Sequence, residues 1–227
     1  MSGESKVQAN SIENSSERSV KIPPLGLAGD LVLPRDAQGI VLFAHGSGSS
    51  RFSSRNRFVA RVLQDAQFGT LLLDLLTPEE EQIDLLTAHL RFDIPLLAGR
   101  LVEVSHWLSA DTETSALPIG YFGASTGGGA ALVAAAELPE TVRAVVCRGG
   151  RPDLAAPKLA QVKAPTLLIV GGRDERVIQW NEAALTQLTC EKRLEIVPGA
   201  THLFEEPGAL EQVARLASEW FERHLAK

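Results

Sequence analysis

Short apolar runs alternate with longer amphipathic segments along the chain from residue 39 onward. The runs lack the period-two alternation of a half-buried strand, which is typical of strands covered on both faces of a parallel sheet. They lie at residues 39–43, 70–73, 119–122, 144–147, 166–170 and 194–197. Two apolar stretches further upstream, at 20–22 and 29–33, are expected to form an antiparallel pair at the edge of the sheet.

The segments between these runs carry apolar residues at helical spacing. They predict helices at 56–67, 79–91, 94–108, 127–138, 180–188 and 207–225. Asp93 before Ile94-Pro95 is a typical helix start, and Glu206 before Pro207 is a second one. Strands that alternate with helices predict the α/β class, with a mostly parallel, doubly wound sheet in a three-layer α/β/α sandwich.

Composition restricts the partners of the protein. The 227 residues are 44% hydrophobic and 22% charged, as in a soluble globular domain. A net charge of −6 without a basic stripe argues against nucleic acid and anionic membranes as partners. The two cysteines lack metal-ligand or disulfide spacing, which favours reduced thiols in a cytoplasmic protein. Residues 1–17 are polar and predict a disordered tail, followed by a single domain at 18–227. We expect the protein to be either a monomer or a homodimer.

Five glycines surround one serine in the segment GYFGASTGGGA at 120–130, where a predicted strand meets a predicted helix. Each glycine weakens a helix by about 1 kcal/mol relative to alanine, so helix stability does not explain them. The order strand, Gly-x-Ser-x-Gly, helix is typical of a nucleophile elbow, with Ser125 at the tip of a strained turn. Gly123 and Gly127 occupy the positions where a Cβ would crowd that turn. A glycine-rich turn without chemistry is the alternative when the stretch is considered alone.

Two other strand ends carry the groups that a serine nucleophile requires. Asp174 follows the strand at 166–170, and His202 follows the strand at 194–197. The chain order Ser125, Asp174, His202 is the order found in α/β-hydrolases. Alone, Asp174 would be a turn residue and His202 a loop histidine, so their shared placement carries the prediction of a triad. Asp153, after the strand at 144–147, is the alternative acid. The other histidines in predicted helices are not expected to act as the base: His89, His106 and His224.

Backbone N–H groups are expected to bind the oxyanion that forms during acyl transfer. Thr126, directly after the nucleophile, would supply one N–H, and Ser47, in the loop after the strand at 39–43, would supply the other. His45 and Gly46 in the same loop are candidates for the substrate pocket. We expect His45 to hydrogen-bond the loop backbone and shape the oxyanion hole rather than act as the base.

Arg51 and Phe204 complete the pocket candidates. Arg51 belongs to the stretch 47–57, which is rich in serine and arginine and could hydrogen-bond an acidic group of a substrate. A solvated polar loop fits the same composition. Phe204 lies two residues after His202, where it would either wall the acyl pocket or pack in the core.

The sequence resembles the α/β-hydrolase superfamily, and within it the dienelactone hydrolase family, over roughly residues 19–227. The stretches that carry the resemblance are HGSGSSR at 45–51, CRGGRPD at 147–153 and VPGATHLFEEP at 197–207. They are similar to a bacterial branch whose members sometimes carry an appended phosphoribosyltransferase domain. The sequence has no acidic pair leading into a Thr/Gly-rich phosphate loop, so that activity is not carried over. The dienelactone hydrolases proper use a cysteine at the elbow, and Ser125 at this position favours a serine carboxylesterase instead.

These residues together predict an α/β-hydrolase catalytic domain that cleaves small carboxylic esters or lactones through an acyl-enzyme on Ser125. The expected partner is a small-molecule ester, and no metal or organic cofactor is implied. Peptidase, amidase or thioesterase chemistry on the same triad is one alternative, and a non-catalytic binding module of this fold is another. Only 18 residues separate Cys147 from Thr166, too few for a large cap domain, so we expect an open site. Residues 77–92 are candidates for a small flap.

Overall fold

The structure is a computed structural model that describes residues 15–226. Within this range the strands are β1 (Ser15–Ile22), β2 (Leu27–Pro34), β3 (Ile40–Ala44), β4 (Gly69–Leu73), β5 (Ile119–Ala124), β6 (Val142–Arg148), β7 (Thr166–Gly171) and β8 (Lys192–Val197). They form one sheet in the order β1-β2-β4-β3-β5-β6-β7-β8. Strands β3 to β8 run parallel, whereas β2 pairs antiparallel with both β1 and β4. The predicted antiparallel pair at the sheet edge is therefore confirmed.

Helices connect the strands and cover both faces of the sheet. The α-helices of the described range are α1 (Ser54–Asp65), α2 (Pro78–Thr87), α3 (Ile94–Ala110), α4 (Thr126–Glu137), α5 (Glu175–Gln187) and α6 (Ala209–Leu225). Two 3₁₀ helices lie at Leu90–Phe92 and Pro152–Gln161. The second of these occupies the connection between β6 and β7, which leaves no room there for a large cap domain.

Successive side chains of the central strands point into two separate cores, as the unbroken apolar runs predict. Leu42 and Ala44 of β3 pack with residues of α3, α4 and α5 on one face of the sheet. Val41 and Phe43 pack with α1 and α6 on the other face. All five residues of β3 are buried. The three-layer α/β/α sandwich predicted from the sequence is thus confirmed.

Two helices differ from their predicted bounds because of local backbone geometry. Helix α1 begins at Ser54, earlier than predicted, because the Ser53 side chain accepts a hydrogen bond from the Asn56 N–H at 3.3 Å. The helix predicted at 79–91 breaks after Thr87, where Ala88 takes a left-handed conformation with φ 54°. A non-glycine residue gives no sequence signal for that conformation, so the break between α2 and the 3₁₀ helix was not predictable.

Two further helices start at other residues than predicted. Helix α5 begins at Glu175 rather than at residue 180, because the Asp174 carbonyl already accepts the Ile178 N–H at 2.9 Å and the acidic Glu175 occupies the first turn. Helix α6 begins at Ala209 rather than at Pro207, because Gly208 adopts φ 80° and is itself the N-cap. The predicted start of α3 is confirmed, since Asp93 accepts a hydrogen bond from the Leu96 N–H at 3.0 Å.

Strand β1 corrects the boundary predicted for the N-terminal tail. It starts at Ser15, so residues 15–17 belong to the sheet edge, where Ser16 pairs with Leu33 and Glu17 with Val32. Pairing through the main chain requires no apolar side chain, and the polar composition therefore concealed this part of the strand. The rest of the predicted tail, residues 1–14, lies outside the described residues.

Candidate active site

Ser125 lies in a sharp turn between β5 and α4, at the carboxyl edge of the parallel strands. Its backbone adopts φ 49° and ψ −120°, an unfavourable conformation for a residue with a Cβ. The turn is fixed from both sides: the Ser125 N–H donates to the carbonyl of Arg148 at 3.1 Å, and the Ser125 carbonyl accepts from the Gly128 N–H at 2.9 Å. The predicted strand-to-helix turn around this serine is therefore present, with the strain expected of a nucleophile elbow.

Gly123 and Gly127 make the turn possible because the backbone passes too close for any side chain. A Cβ on Gly123 would lie 2.6 Å from Gly128 Cα. A Cβ on Gly127 would lie 2.3 Å from the carbonyl oxygen of Ala44 and 2.5 Å from that of His45. Gly127 thus lets the start of α4 pack directly against the end of β3 and the loop that follows it.

Three side chains from different strand ends meet at this edge. Asp174 follows β7 in a turn closed by its N–H, which donates to the Gly171 carbonyl at 2.9 Å, and His202 lies in the loop after β8. The Nδ1 atom of His202 is 2.6 Å from Asp174 Oδ2, and Nε2 is 3.3 Å from Ser125 Oγ. The imidazole is 38% exposed and the carboxylate 16% exposed, so solvent reaches the histidine more easily than its partner.

These two distances indicate which nitrogen of His202 carries a proton. A carboxylate only accepts hydrogen bonds, so Nδ1 of His202 carries the proton and donates it to Asp174. Nε2 is then unprotonated and can accept the hydroxyl proton of Ser125. This is the proton arrangement that a base-activated serine requires.

Asp153, the alternative acid, is engaged elsewhere. Both of its oxygens accept hydrogen bonds from the guanidinium of Arg151, at 2.9 Å from Nε and 2.7 Å from Nη2. The side-chain hydrogen bond to Asp153 also raises the pKa of Arg151. Asp174 is therefore the carboxylate that the structure places beside His202.

The loop after β3 packs closely against the turn that carries Ser125. A Cβ on Gly46 would lie 3.2 Å from Ser125 Cβ, which shows how closely the two segments meet. The N–H groups of Thr126 and Ser47 donate no hydrogen bond to any atom of residues 15–226. Neither amide has a partner among these residues, and their role as oxyanion donors stays a prediction.

His45 hydrogen-bonds the backbone of its loop, as the sequence predicts. Its Nδ1 lies 2.9 Å from the Gly46 carbonyl, and its Nε2 accepts a hydrogen bond from the Leu75 N–H at 3.1 Å. Nδ1 therefore carries the proton, and the ring joins the loop to the end of β4. Burial lowers the pKa of His45, which keeps the ring neutral.

Two residues predicted for the substrate pocket, Arg51 and Phe204, do not line the cavity beside the loop after β3. Arg51 forms an ion pair with Asp74, and its N–H donates to the same carboxylate at 2.7 Å. Phe204 is fully buried in the core between the sheet and helices α1 and α6. Its backbone has a positive φ of 56°. The core-packing alternative therefore holds for Phe204, and the pocket role expected of Arg51 is corrected, because its guanidinium is engaged with Asp74.

A cavity of about 180 Å³ opens beside the loop after β3. It is lined by loop residues 45–50, by Asp74, Leu75 and Leu76 after β4, by Glu81, Asp84 and Leu85 of α2, and by Arg91 and Leu97. The segment predicted as a flap, 77–92, therefore supplies one wall. Asp74 follows a strand end in the same way as Asp174, and that signal could have identified it. The residues from α2 and the 3₁₀ helix after it carried no comparable signal.

Arg148, at the end of β6, contacts the turn that carries Ser125. Its carbonyl accepts the Ser125 N–H, and its guanidinium donates from Nη2 to Asn56 Oδ1 at 3.3 Å. Burial, together with the nearby charge of Arg55, lowers the pKa of Arg148 to about 10. The side chain therefore connects the end of β6 with the first turn of α1.

The remaining sequence candidates lie away from this edge. His89 hydrogen-bonds Thr87 between α2 and the 3₁₀ helix, His106 belongs to α3 and His224 to α6. Cys147 and Cys190 are both free thiols. In the part of the chain that the structure describes, no group of three metal-binding side chains is arranged to hold an ion. None of the described helices is long and apolar enough to cross a membrane.

Several known proteins are similar to this chain in sequence and in structure. Two Mycobacterium tuberculosis proteins that carry the provisional name phosphoribosyl transferase are 59% identical over 209 residues, 92% of this chain. The chain spans only 46% of the length of those relatives. The crystal structure of a dienelactone hydrolase from Anabaena variabilis is 65% identical, with a TM-score of 0.91 over 93% of this chain and 99% of that one.

A more distant structure shares the fold. Est1E from Butyrivibrio proteoclasticus is 16% identical, with a TM-score of 0.77 over 93% of this chain and 99% of its own. The model of the dienelactone hydrolase family matches residues 55–225, which include the elbow and both strand ends that face it. The chain therefore belongs to the dienelactone hydrolase family and has the fold of its α/β hydrolases.

Proposed function

We propose that the protein is a serine hydrolase that cleaves small carboxylic esters or lactones through an acyl-enzyme on Ser125. The observation that carries the proposal is the hydrogen-bonded series Asp174, His202, Ser125, with distances of 2.6 and 3.3 Å, at a strained elbow. Strain at one backbone position persists only where surrounding structure holds it, and it is concentrated at functional sites.

The reaction would proceed in two halves. Ser125 Oγ attacks the ester carbonyl while His202 Nε2 takes the hydroxyl proton, and Asp174 stabilises the imidazolium that forms. The N–H groups of Thr126 and Ser47 donate to the oxyanion of the tetrahedral intermediate. His202 then gives its proton to the departing alcohol, which leaves the acyl group on Ser125. Water attacks the acyl-enzyme in the same way and restores the serine.

The cavity beside Ser47, which Ser125 and His202 do not line, favours a small group on that side of the substrate. Its volume of about 180 Å³ is below the roughly 300–1,000 Å³ of pockets that hold drug-sized ligands. The connection between β6 and β7 adds no cap over the site. The name of the Anabaena variabilis relative supports a lactone as one form of substrate. The transferase activity named for the mycobacterial relatives is not part of the proposal, because the chain spans only 46% of their length.

Matched 4-nitrophenyl substrates test this proposal. We expect hydrolysis of 4-nitrophenyl acetate and butyrate, a slower reaction with the corresponding anilides, and no turnover of either by Ser125→Ala. Faster cleavage of the anilides would favour an amidase. A matched alkyl thioester, followed with a thiol reagent, tests the thioesterase alternative. Retention of esterase activity in Ser125→Ala would refute the proposed nucleophile.

A further inference from the structure

The charges that face the cavity beside Ser47 offer a way to predict which esters the site accepts. Ser125, Asp174 and His202 do not line the cavity, but Gly46 and Ser47 do, and a Cβ on Gly46 would lie 3.2 Å from Ser125 Cβ. An ester whose oxyanion reached the Ser47 N–H would therefore extend part of its structure into the cavity. The titratable groups on its walls are His45, Asp74, Glu81, Asp84 and Arg91. This inference rests on the proposed esterase function.

The only cation among these wall residues is already neutralised. The Arg91 backbone N–H donates to Asp84 Oδ1 at 3.1 Å, its Nε donates to Oδ2, and Nη2 donates to the Asp84 carbonyl at 3.0 Å. Burial alone would raise the pKa of Asp84, but the hydrogen bonds from Arg91 outweigh it and lower that pKa, so the carboxylate stays charged. The two charges therefore cancel at a short distance.

A second pair removes the charge of Asp74. Its carboxylate is bound by the guanidinium of Arg51, which lies outside the cavity wall. His45 on the same wall is neutral, because its ring is buried and one nitrogen accepts the Leu75 N–H. Neither residue contributes a net charge to the cavity.

Glu81 is the wall residue whose charge is not offset. No Lys, Arg or His side chain of residues 15–226 lies within 4 Å of its carboxylate. The neighbouring Glu80 differs, since it bonds both the Thr77 N–H at 2.8 Å and Arg100 at 2.6 Å. The cavity therefore has a net charge of about −1 on the side formed by α2.

We infer that the site selects esters with a cationic group, such as a quaternary ammonium, over esters with a carboxylate, and that Glu81 is the residue that determines this preference. A cation in the cavity gains a partner that no basic side chain already binds, whereas a carboxylate is repelled by Glu81, which is exposed and therefore partly screened by solvent. Arg91 offers less compensation, because its charge is paired with Asp84; its Nη1 makes no hydrogen bond within residues 15–226 and would lie 3.6 Å from a Cβ on Gly48. One charge at this partly solvated distance changes kcat/KM by about three- to tenfold.

Pairs of esters that match in shape test the preference on both sides of the ester bond. On the acyl side, 4-nitrophenyl 4-(trimethylammonio)butanoate is compared with the neutral 5,5-dimethylhexanoate and with the anionic glutarate. On the alcohol side, choline acetate is compared with 3,3-dimethylbutyl acetate. Each kcat/KM is divided by the rate constant for hydroxide hydrolysis, which removes differences in intrinsic reactivity. We expect the cationic ester to be preferred about three- to tenfold in at least one series, with the preference falling as NaCl is raised.

Variants of helix α2 assign the preference to one side chain. Glu81→Gln should bring the ratio of cationic to neutral kcat/KM close to one, and Glu81→Lys should reverse it in favour of the glutarate. Glu79→Gln is the matched control, because Glu79 is an exposed acid in the same helical turn that does not line the cavity. It should leave the ratio unchanged.

The outcomes separate this inference from the function on which it rests. If the neutral esters are hydrolysed but the glutarate is the best substrate, or the ratio is the same in Glu81→Gln, the inference is overturned and the esterase function stands. A glutarate preference that disappears in Arg91→Gln would assign selectivity to Arg91 instead. Failure to hydrolyse any ester in either series would overturn both.

Discussion

Asp174 holds His202 by a hydrogen bond of 2.6 Å between two residues that follow different strands. The bond leaves Nε2 of the imidazole directed at Ser125, 3.3 Å from its hydroxyl oxygen. The position of one carboxylate therefore determines which nitrogen of the histidine can act as a base.

Asp174→Asn is expected to lower kcat for a 4-nitrophenyl ester by about 10³–10⁴-fold, because an amide N–H facing Nδ1 favours the wrong tautomer. Circular dichroism and the urea midpoint should change little. Asp153→Asn is the matched control, since Asp153 is held by Arg151. Its kcat should stay within about threefold of the wild type. A larger loss in Asp153→Asn than in Asp174→Asn would show that the wrong acid has been assigned.

Gly127→Ala is expected to destabilise the fold by about 3 kcal/mol or more, or to prevent folding. The new methyl group would lie 2.3 Å from a main-chain oxygen of β3, which cannot move without displacing the loop that carries Ser47. Gly99→Ala in α3 is the control, because a Cβ there meets nothing within 4 Å. It should raise stability by up to about 1 kcal/mol. Equal free energies of unfolding for the two variants in urea would contradict the close packing described at the elbow.

The buried neutral ring of His45 predicts a pH-dependent contribution to stability. Its pKa in the fold is below the ordinary 6.5, so below pH 6.5 the unfolded chain binds a proton that the folded ring does not. The stabilisation is therefore complete above pH 6.5 and is lost as the pH falls through the lower folded pKa.

His45→Leu provides the measurement. We expect the wild type to exceed this variant by about 1–3 kcal/mol in free energy of unfolding at pH 7.5, because the Leu75 N–H loses its acceptor. That difference should shrink between pH 6.5 and pH 5. Burial also lowers the pKa of His224, but this contribution is common to both proteins and cancels. A difference that stays constant over this range would mean that His45 does not titrate as described.

The sequence predicted the fold and the placement of Ser125, Asp174 and His202 because both depend on local order along the chain. Buried parallel strands are continuous apolar runs, and their carboxyl ends meet at one edge of the sheet. A residue just after such a run is therefore located without knowledge of its distant neighbours.

Arg51 and Phe204 show where that reasoning fails. The ion-pair partner of Arg51 is 23 residues away, and only the packing of β4 beside β3 brings the two together. Phe204 is buried in the core and its backbone adopts φ 56°, a conformation that a phenylalanine in the sequence does not predict. The wall formed by α2 is predicted only as a candidate flap at 77–92, and the break at Ala88 within that segment carries no signal in the sequence.

Labelling with a fluorophosphonate tests most directly whether Ser125 is an activated nucleophile. We expect one adduct per folded chain, located on Ser125 by peptide mass spectrometry, and its loss in Ser125→Ala, in His202→Ala and after denaturation. His89→Ala, which changes an exposed histidine between α2 and the 3₁₀ helix, should label like the wild type. The account would be contradicted if folded protein were not labelled at Ser125, or if labelling were unaffected by His202→Ala.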